Sequence, residues 1–348
     1  MIKQEHASTD RQGWIITLRA IASMAIVLLH VIGGWVHTDW NEKLTGLRLV
    51  VDGVIIQVLV RWAVPCFLMI SGALLLNPQK DLGLKRIYQY IVRMVIVLAI
   101  FGLGFCLIES MVENGYKLNV SMLFTALRNL IAGYSWDHMW YVYMLVGLYI
   151  LTPVLRSFTK TADGKEMQFI LGMLFVFTIF MPTIAKLFHV ELYRFVPIST
   201  YCVFYYLLGY DLSRRDLKTS VKWLFLLGGA LGFTGMLLLK IQGANVEVSG
   251  ENLFVAIYSV GLFSLCIDNR FLERQAKNRI IQSLSKCSFG IYILHPLFLN
   301  ILNKGLGIFP DILPAVAGEL LFWLIAFMCA YIATLLIGKI KFFGKVII

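Results

Sequence analysis

The apolar positions of this chain fall into long runs, and its polar positions gather between them. A helix needs about 20 largely apolar residues to cross the hydrocarbon core of a bilayer. Ten segments reach or approach that length: residues 12–36, 48–76, 87–110, 138–156, 167–187, 198–212, 221–240, 252–267, 284–303 and 312–338, of which the sixth and eighth are short. The pattern predicts an all-α integral membrane protein of about ten transmembrane helices. It forms one domain over residues 1–348, with no separate soluble domain. The first run is long and lacks a small-residue cleavage site after it, so it reads as a retained span rather than a signal peptide. The longest outer connection, 111–137, contains an amphipathic piece, VSMLFTALRNLIAGY, suited to the membrane surface. No internal repeat or low-complexity tract is visible, which weighs against the carriers that are built from repeats.

Composition agrees with this reading. Charged residues make up 15% of the chain and hydrophobic ones 59%, against about 25% charged in soluble domains. The mean hydropathy is +0.78. The net charge of +11 does not call for nucleic acid, because basic side chains between apolar spans report orientation. With the N-terminus inside, the inner segments hold 20 Lys and Arg and the outer ones 8. Both termini are therefore predicted to be cytoplasmic. The six cysteines stand singly within apolar runs, with no CxxC and no His at ligand spacing, so they read as small hydrophobes and no metal is expected.

Ionisable residues inside spans are costly and are default functional candidates. Arg19 and His30 share the first span, Arg61 lies in the second, Arg93 in the third, His295 in the ninth and Glu319 in the tenth. Eleven positions at 100° each bring Arg19 and His30 to one helix face, separated by about 16 Å of rise. The guanidinium is a fixed cation whose donor fork suits phosphate, whereas the imidazole exchanges a proton near neutral pH. Arg19 also fits a residue snorkelling to the interface, and His30 a hydrogen-bonded packing residue.

In SFGIYILHP, Ser288 and His295 are seven apart and share a face, which fits either a common chamber with His30 or plain helix packing. His138 opens the fourth span beside Trp136 and Trp140, where the aromatic belt is the default and an outer-face acceptor site the alternative. Glu319 is expected about two turns inside its span, able to partner a His or Arg, and Asp52 is expected near outer water. Arg61 precedes Pro65, which breaks the backbone ladder and suggests a cavity wall. The stretch KRIYQYIVR brings Lys85, Arg86 and Arg93 to the inner side, suited to an anionic cofactor or to anionic lipid heads.

Four stretches in order resemble the acyltransferase-3 family of bacterial membrane O-acyltransferases: WIITLRAIASMAIVLLH, RWAVPCFLMISGALLL, HMWYVYMLVGLYILTPVLR and SFGIYILHP. The likeness covers nearly the whole chain. It is greatest to the stand-alone members, such as the enzyme that O-acetylates enterobacterial common antigen. The resemblance implies a multi-pass protein of the bacterial cytoplasmic membrane. It further implies transfer of an acyl group, usually acetyl, from cytoplasmic acetyl-CoA or another acyl-CoA to a hydroxyl of a cell-envelope glycan or lipid-linked saccharide. Carried over by position, Arg19 and His30 match the essential pair, and Arg61, His138, Trp140 and His295 match further motif positions. One departure stands out: many members carry an acidic residue two or three positions before the Arg, where this chain has Ile16 and Thr17.

The mechanism expected on that basis has Arg19, aided by Lys85, Arg86 and Arg93, holding the donor phosphates while His30 acts as general base or acyl carrier. The alternatives are a polytopic exporter or carrier for a glycan precursor or small solute, and a membrane sensor without catalysis. The sequence sets neither the acceptor sugar nor the oligomeric state.

Overall fold

A computed structural model describes residues 12–36, 55–113, 120–190, 192, 200–242, 249–314 and 316–348. Thirteen helical elements account for most of them: α1 (Gly13–Val36), α2 (Gln57–Val60 and, after a two-residue break, Ala63–Leu75), α3 (Leu84–Val97, continued by a π-turn, Leu98–Gly102, into Leu103–Glu113), α4 (Val120–Ala132), α5 (Trp140–Thr161, led in by a 3-10 turn, Asp137–Met139), α6 (Gly164–Phe175, continued by a π-turn, Val176–Phe180, into Met181–Leu187), α7 (Tyr201–Arg214), α8 (Thr219–Ile241), α9 (Leu253–Cys266), α10 (Arg270–Gln275), α11 (Arg279–Asn300), α12 (Ala317–Gly338) and α13 (Lys341–Ile347). Among the described residues there is no strand. The protein is an all-α integral membrane protein.

Among the described residues seven helices are long and apolar enough to cross a bilayer: α1, α2, α3, α5, α6, α8 and α12. The other three predicted spans also form helices, α7, α9 and α11, but do not meet that measure. For α7, fourteen residues span only about 21 Å. For α11, the cause is polarity, and packing explains why polarity is tolerated. Every residue from Gly290 to Pro296 is buried, so the helix shows little of itself to lipid. The first part of the predicted second span, the start of the sixth, Asp52 and much of the outer connections lie outside the described residues.

Close packing relies on glycine where backbones meet. A Cβ on Gly72 of α2 would stand 1.7 Å from the Tyr206 carbonyl oxygen of α7, and one on Gly209 would stand 2.1 Å from that of Met69. The two helices thus approach backbone to backbone, the mode that small residues permit in membranes. No rotamer relieves a Cβ clash, so Gly72→Ala is expected to cost about 3 kcal/mol or more. Reversible unfolding in detergent checks this; unchanged stability would show that the contact yields.

The break in α2 has its own splint. In a continuous helix the Trp62 N–H would donate to the Val58 carbonyl. Here the Tyr258 hydroxyl of α9 stands between them, accepting from Trp62 N at 2.9 Å and donating to Val58 O at 2.5 Å. The break therefore falls at Arg61 and Trp62, one turn before the proline on which the sequence reading rested. The C-terminal end of α2 is capped by Arg156, whose Nη1 donates to the Leu75 and Asn77 carbonyls at 2.6 and 2.8 Å and whose Nη2 donates to Lys80 O at 2.7 Å.

Two local expectations change. The last long helix begins at Ala317 rather than near 312, because Pro310 opens a 3-10 turn and Val316 takes a left-handed conformation with φ 68°. Glu319 consequently sits in the first turn of α12, buried, where a carboxylate complements the helix dipole. The piece VSMLFTALRNLIAGY forms α4, with Met122 and Ala126 packed inward and Phe124 and Ile131 exposed. All six cysteines are free, four of them buried.

Candidate functional site

The spacing of Arg19 and His30 directs both toward α11. Arg19 Nε donates to Ser285 Oγ at 3.1 Å, and the ring of His30 lies 4.8 Å from that of His295. Because the pairs follow the same order along both helices, α1 and α11 run parallel through this region. Ser285, Ser288, Tyr292 and His295 recur at three- and four-residue intervals, which is one helix face.

His138 completes a cluster of three imidazoles. Its ring centroid stands 6.3 Å from that of His30 and 6.0 Å from that of His295. The aromatic belt expected for this residue is occupied by others. Trp140 is 42% exposed, while Trp136 stacks on Phe105 at 4.3 Å and donates from Nε1 to Glu109 at 3.0 Å. His138 itself is buried at 3% exposure. Two hydrogen bonds fix it to α11: its Nε2 donates to the Ile293 carbonyl at 3.3 Å, and its own carbonyl accepts from the Tyr292 hydroxyl.

The backbone assigns the tautomers, since a carbonyl only accepts. His30 Nδ1 bonds to Ile26 O at 2.9 Å and His295 Nδ1 to Ile291 O at 3.0 Å, so both Nδ1 atoms carry the proton. In a neutral ring that leaves Nε2 as the basic nitrogen. His295 Nε2 is buried with no hydrogen-bond partner among the described residues. A buried lone pair left unmatched is costly, and such groups concentrate where a substrate or proton is to be received. Among the described residues no group of three His, Cys, Asp or Glu side chains is arranged to hold a metal ion.

One helical turn from the imidazoles begins a cavity of about 390 Å³. Ile26 and Tyr292 line its end nearest the histidines, Ser23, Ser71, Ser288, Tyr141 and Tyr149 its middle, and Arg19, Arg93, Ser285, Gln282 and Lys286 its other end. Gln282 and Lys286 are exposed, which marks where the cavity opens. Arg19, Arg93 and Lys286 line it, and no Asp or Glu side chain does. Arg93 Nε donates to the Val346 carbonyl at 2.8 Å, and its guanidinium lies 5.4 Å from the Phe289 ring centroid. Both cavity arginines are thus held through Nε by neutral acceptors. Among the described residues no hydrogen bond or ion pair engages their terminal nitrogens, and both side chains line the cavity.

The structure brings together Arg19, His30, Arg93, His138, Ser288 and His295 around one cavity and cluster. Lys85 and Arg86 are exposed at the start of α3 and do not line the cavity. Arg61 lies within electrostatic reach of His30. Ser285, Lys286, Tyr292 and α13 are the principal additions. Ser285 and Tyr292 could have been found on the stripe already carrying Ser288 and His295. Lys286 stands in the sequence only as one more basic residue near a span end.

Comparison with protein families matches residues 12–339 to the acyltransferase-3 model, described as an acyltransferase domain. No curated protein and no solved structure gives a match.

Proposed function

The chain belongs to the acyltransferase-3 family, matched over residues 12–339, and from that membership we propose that this membrane acyltransferase moves an acyl group from an acyl-CoA to a hydroxyl. Acetyl is the group we favour, acetyl-CoA the donor, and a cell-envelope glycan or lipid-linked saccharide the acceptor. Its setting is the bacterial cytoplasmic membrane, with about ten crossings, both termini inside, and the donor approaching from the cytoplasm. The observation that carries the reading is a cavity whose far end holds Arg19, Arg93 and Lys286 and whose near end, at Ile26 and Tyr292, stops one helical turn short of three clustered imidazoles, with Arg19 and His30 about 16 Å apart along α1.

That span suits an extended thiol-ending arm whose phosphates stay with Arg19, Arg93 and Lys286. His30 Nε2 takes the proton of the acceptor hydroxyl, and the oxygen attacks the thioester carbonyl. The carbon–sulfur bond then breaks, and the imidazolium returns the proton to the departing thiolate. Base catalysis of this kind contributes about 10²- to 10⁴-fold. The same lone pair would serve if the acyl group rested first on His30.

Mass spectrometry of surface glycans from cells with and without the gene tests the proposal. We expect a mass increment that depends on the gene and is removed by mild alkali, the mark of an ester. Movement of a glycan precursor with no acyl-CoA consumed would instead support a carrier.

A further inference from the structure

After the last long helix the chain turns back beneath the bundle. Gly338 and Gly344 allow the turn: a Cβ on Gly344 would stand 2.4 Å from the Gly338 carbonyl oxygen, and one on Gly338 would stand 2.0 Å from Ile348 Cδ1. The resulting α13 packs on α3, α11 and α12. It buries Val346 and Ile347, and Ile348 lines the cavity. The sequence reading absorbed none of this, since Lys339, Lys341 and Lys345 entered it only as inner-side charges.

The contact with Arg93 has chemical content. A guanidinium fork held at Nε by one acceptor presents its two terminal nitrogens in a fixed plane. Arg19 meets a serine hydroxyl in this way and Arg93 a main-chain carbonyl. A carboxylate in either place would hold the side chain equally well and cancel the charge. Without the Val346 carbonyl, Arg93 keeps only the Phe289 ring, and its long side chain regains its rotamers.

We infer that residues 341–348 form a wall of the donor end of the cavity, where the Val346 carbonyl is the positioning group for Arg93 and Ile348 bounds the space beside it. This rests on the acyl-CoA reading above. The segment acts on donor affinity and leaves the histidine cluster untouched, because its contacts are with α3, α11 and α12 at the cationic end.

Two arms test it, one independent of catalysis. In the first, a cysteine placed on the cavity wall by Leu74→Cys is labelled with a small water-soluble maleimide, with the unsubstituted chain as background. Removing residues 341–348 is expected to raise the labelling rate at least tenfold; an unchanged rate would overturn the wall. In the second, donor KM and kcat are measured for Ile348→Trp, Ile348→Leu and the shortened chain. The tryptophan and the truncation should raise the acetyl-CoA KM about tenfold with kcat within threefold, and the leucine should behave as the parent. An equal fall in kcat with KM unchanged would show a purely structural role and sink the assignment. If the parent chain neither binds nor consumes acetyl-CoA, the donor reading fails, while the labelling arm still decides whether the wall exists.

Discussion

Replacing His30 by alanine is expected to lower acyl transfer by about 10²- to 10⁴-fold in a protein that still inserts and folds. The argument begins with the proton. His30 Nδ1 is committed to the Ile26 carbonyl, which orients the ring and leaves Nε2 as its basic nitrogen. Alanine removes that base and nothing else of comparable chemistry, because His138 spends a nitrogen on Ile293 and is held in place from α11. His295 is the one group able to substitute in part. Its Nε2 is unmatched among the described residues and its ring is 4.8 Å from that of His30, so His295→Ala should cost less than His30→Ala, and the double variant should lose the residual rate that His30→Ala retains. Initial rates of thiol release from acetyl-CoA, with expression and thermal stability as controls, check this. Normal acylation by well-folded His30→Ala would remove His30 from the chemistry.

The architecture was legible in the sequence to the extent that it is one-dimensional. Runs of apolar residues gave each of the ten predicted helices, because a backbone in lipid must bond within its own segment. The helix period alone put Arg19 and His30 on one face, and both indeed meet α11. What the sequence could not supply is which helices are neighbours. Nothing local in WDHMWYVYML says that His138 turns inward while Trp140 stays exposed; Phe105 and Glu109 decide that by taking Trp136. Hydropathy also favoured Lys85 and Arg86 as donor contacts through proximity to Arg93 along the chain. Yet they stand exposed at the start of α3, and the third cation of the cavity is Lys286, far away in sequence. The break in α2 shows the same limit, since its cause, the Tyr258 hydroxyl, comes from another helix.

The second large effect is expected at Arg19, and it bears on the acidic neighbour that the family resemblance led one to expect and that is replaced here by Ile16 and Thr17. Ser285 does the tethering here, and a neutral acceptor does not offset the guanidinium charge in a cavity that no Asp or Glu side chain lines. Hydrogen bonds to charged groups contribute about 1.5–3 kcal/mol each, so losing the fork should lower kcat/KM for acetyl-CoA by about 100-fold or more in Arg19→Ala. Arg19→Lys keeps the charge without the planar fork and should recover only part of the loss. Ser285→Ala removes the tether alone, and a neutral hydrogen bond contributes about 0.5–1.5 kcal/mol; its effect should stay near tenfold or below and appear in KM. If Arg19 served only to anchor α1, the order would change: Arg19→Ala and Ser285→Ala would lose stability together, and donor KM would remain that of the parent. The two roles therefore separate in a single comparison of KM with unfolding temperature across the three variants.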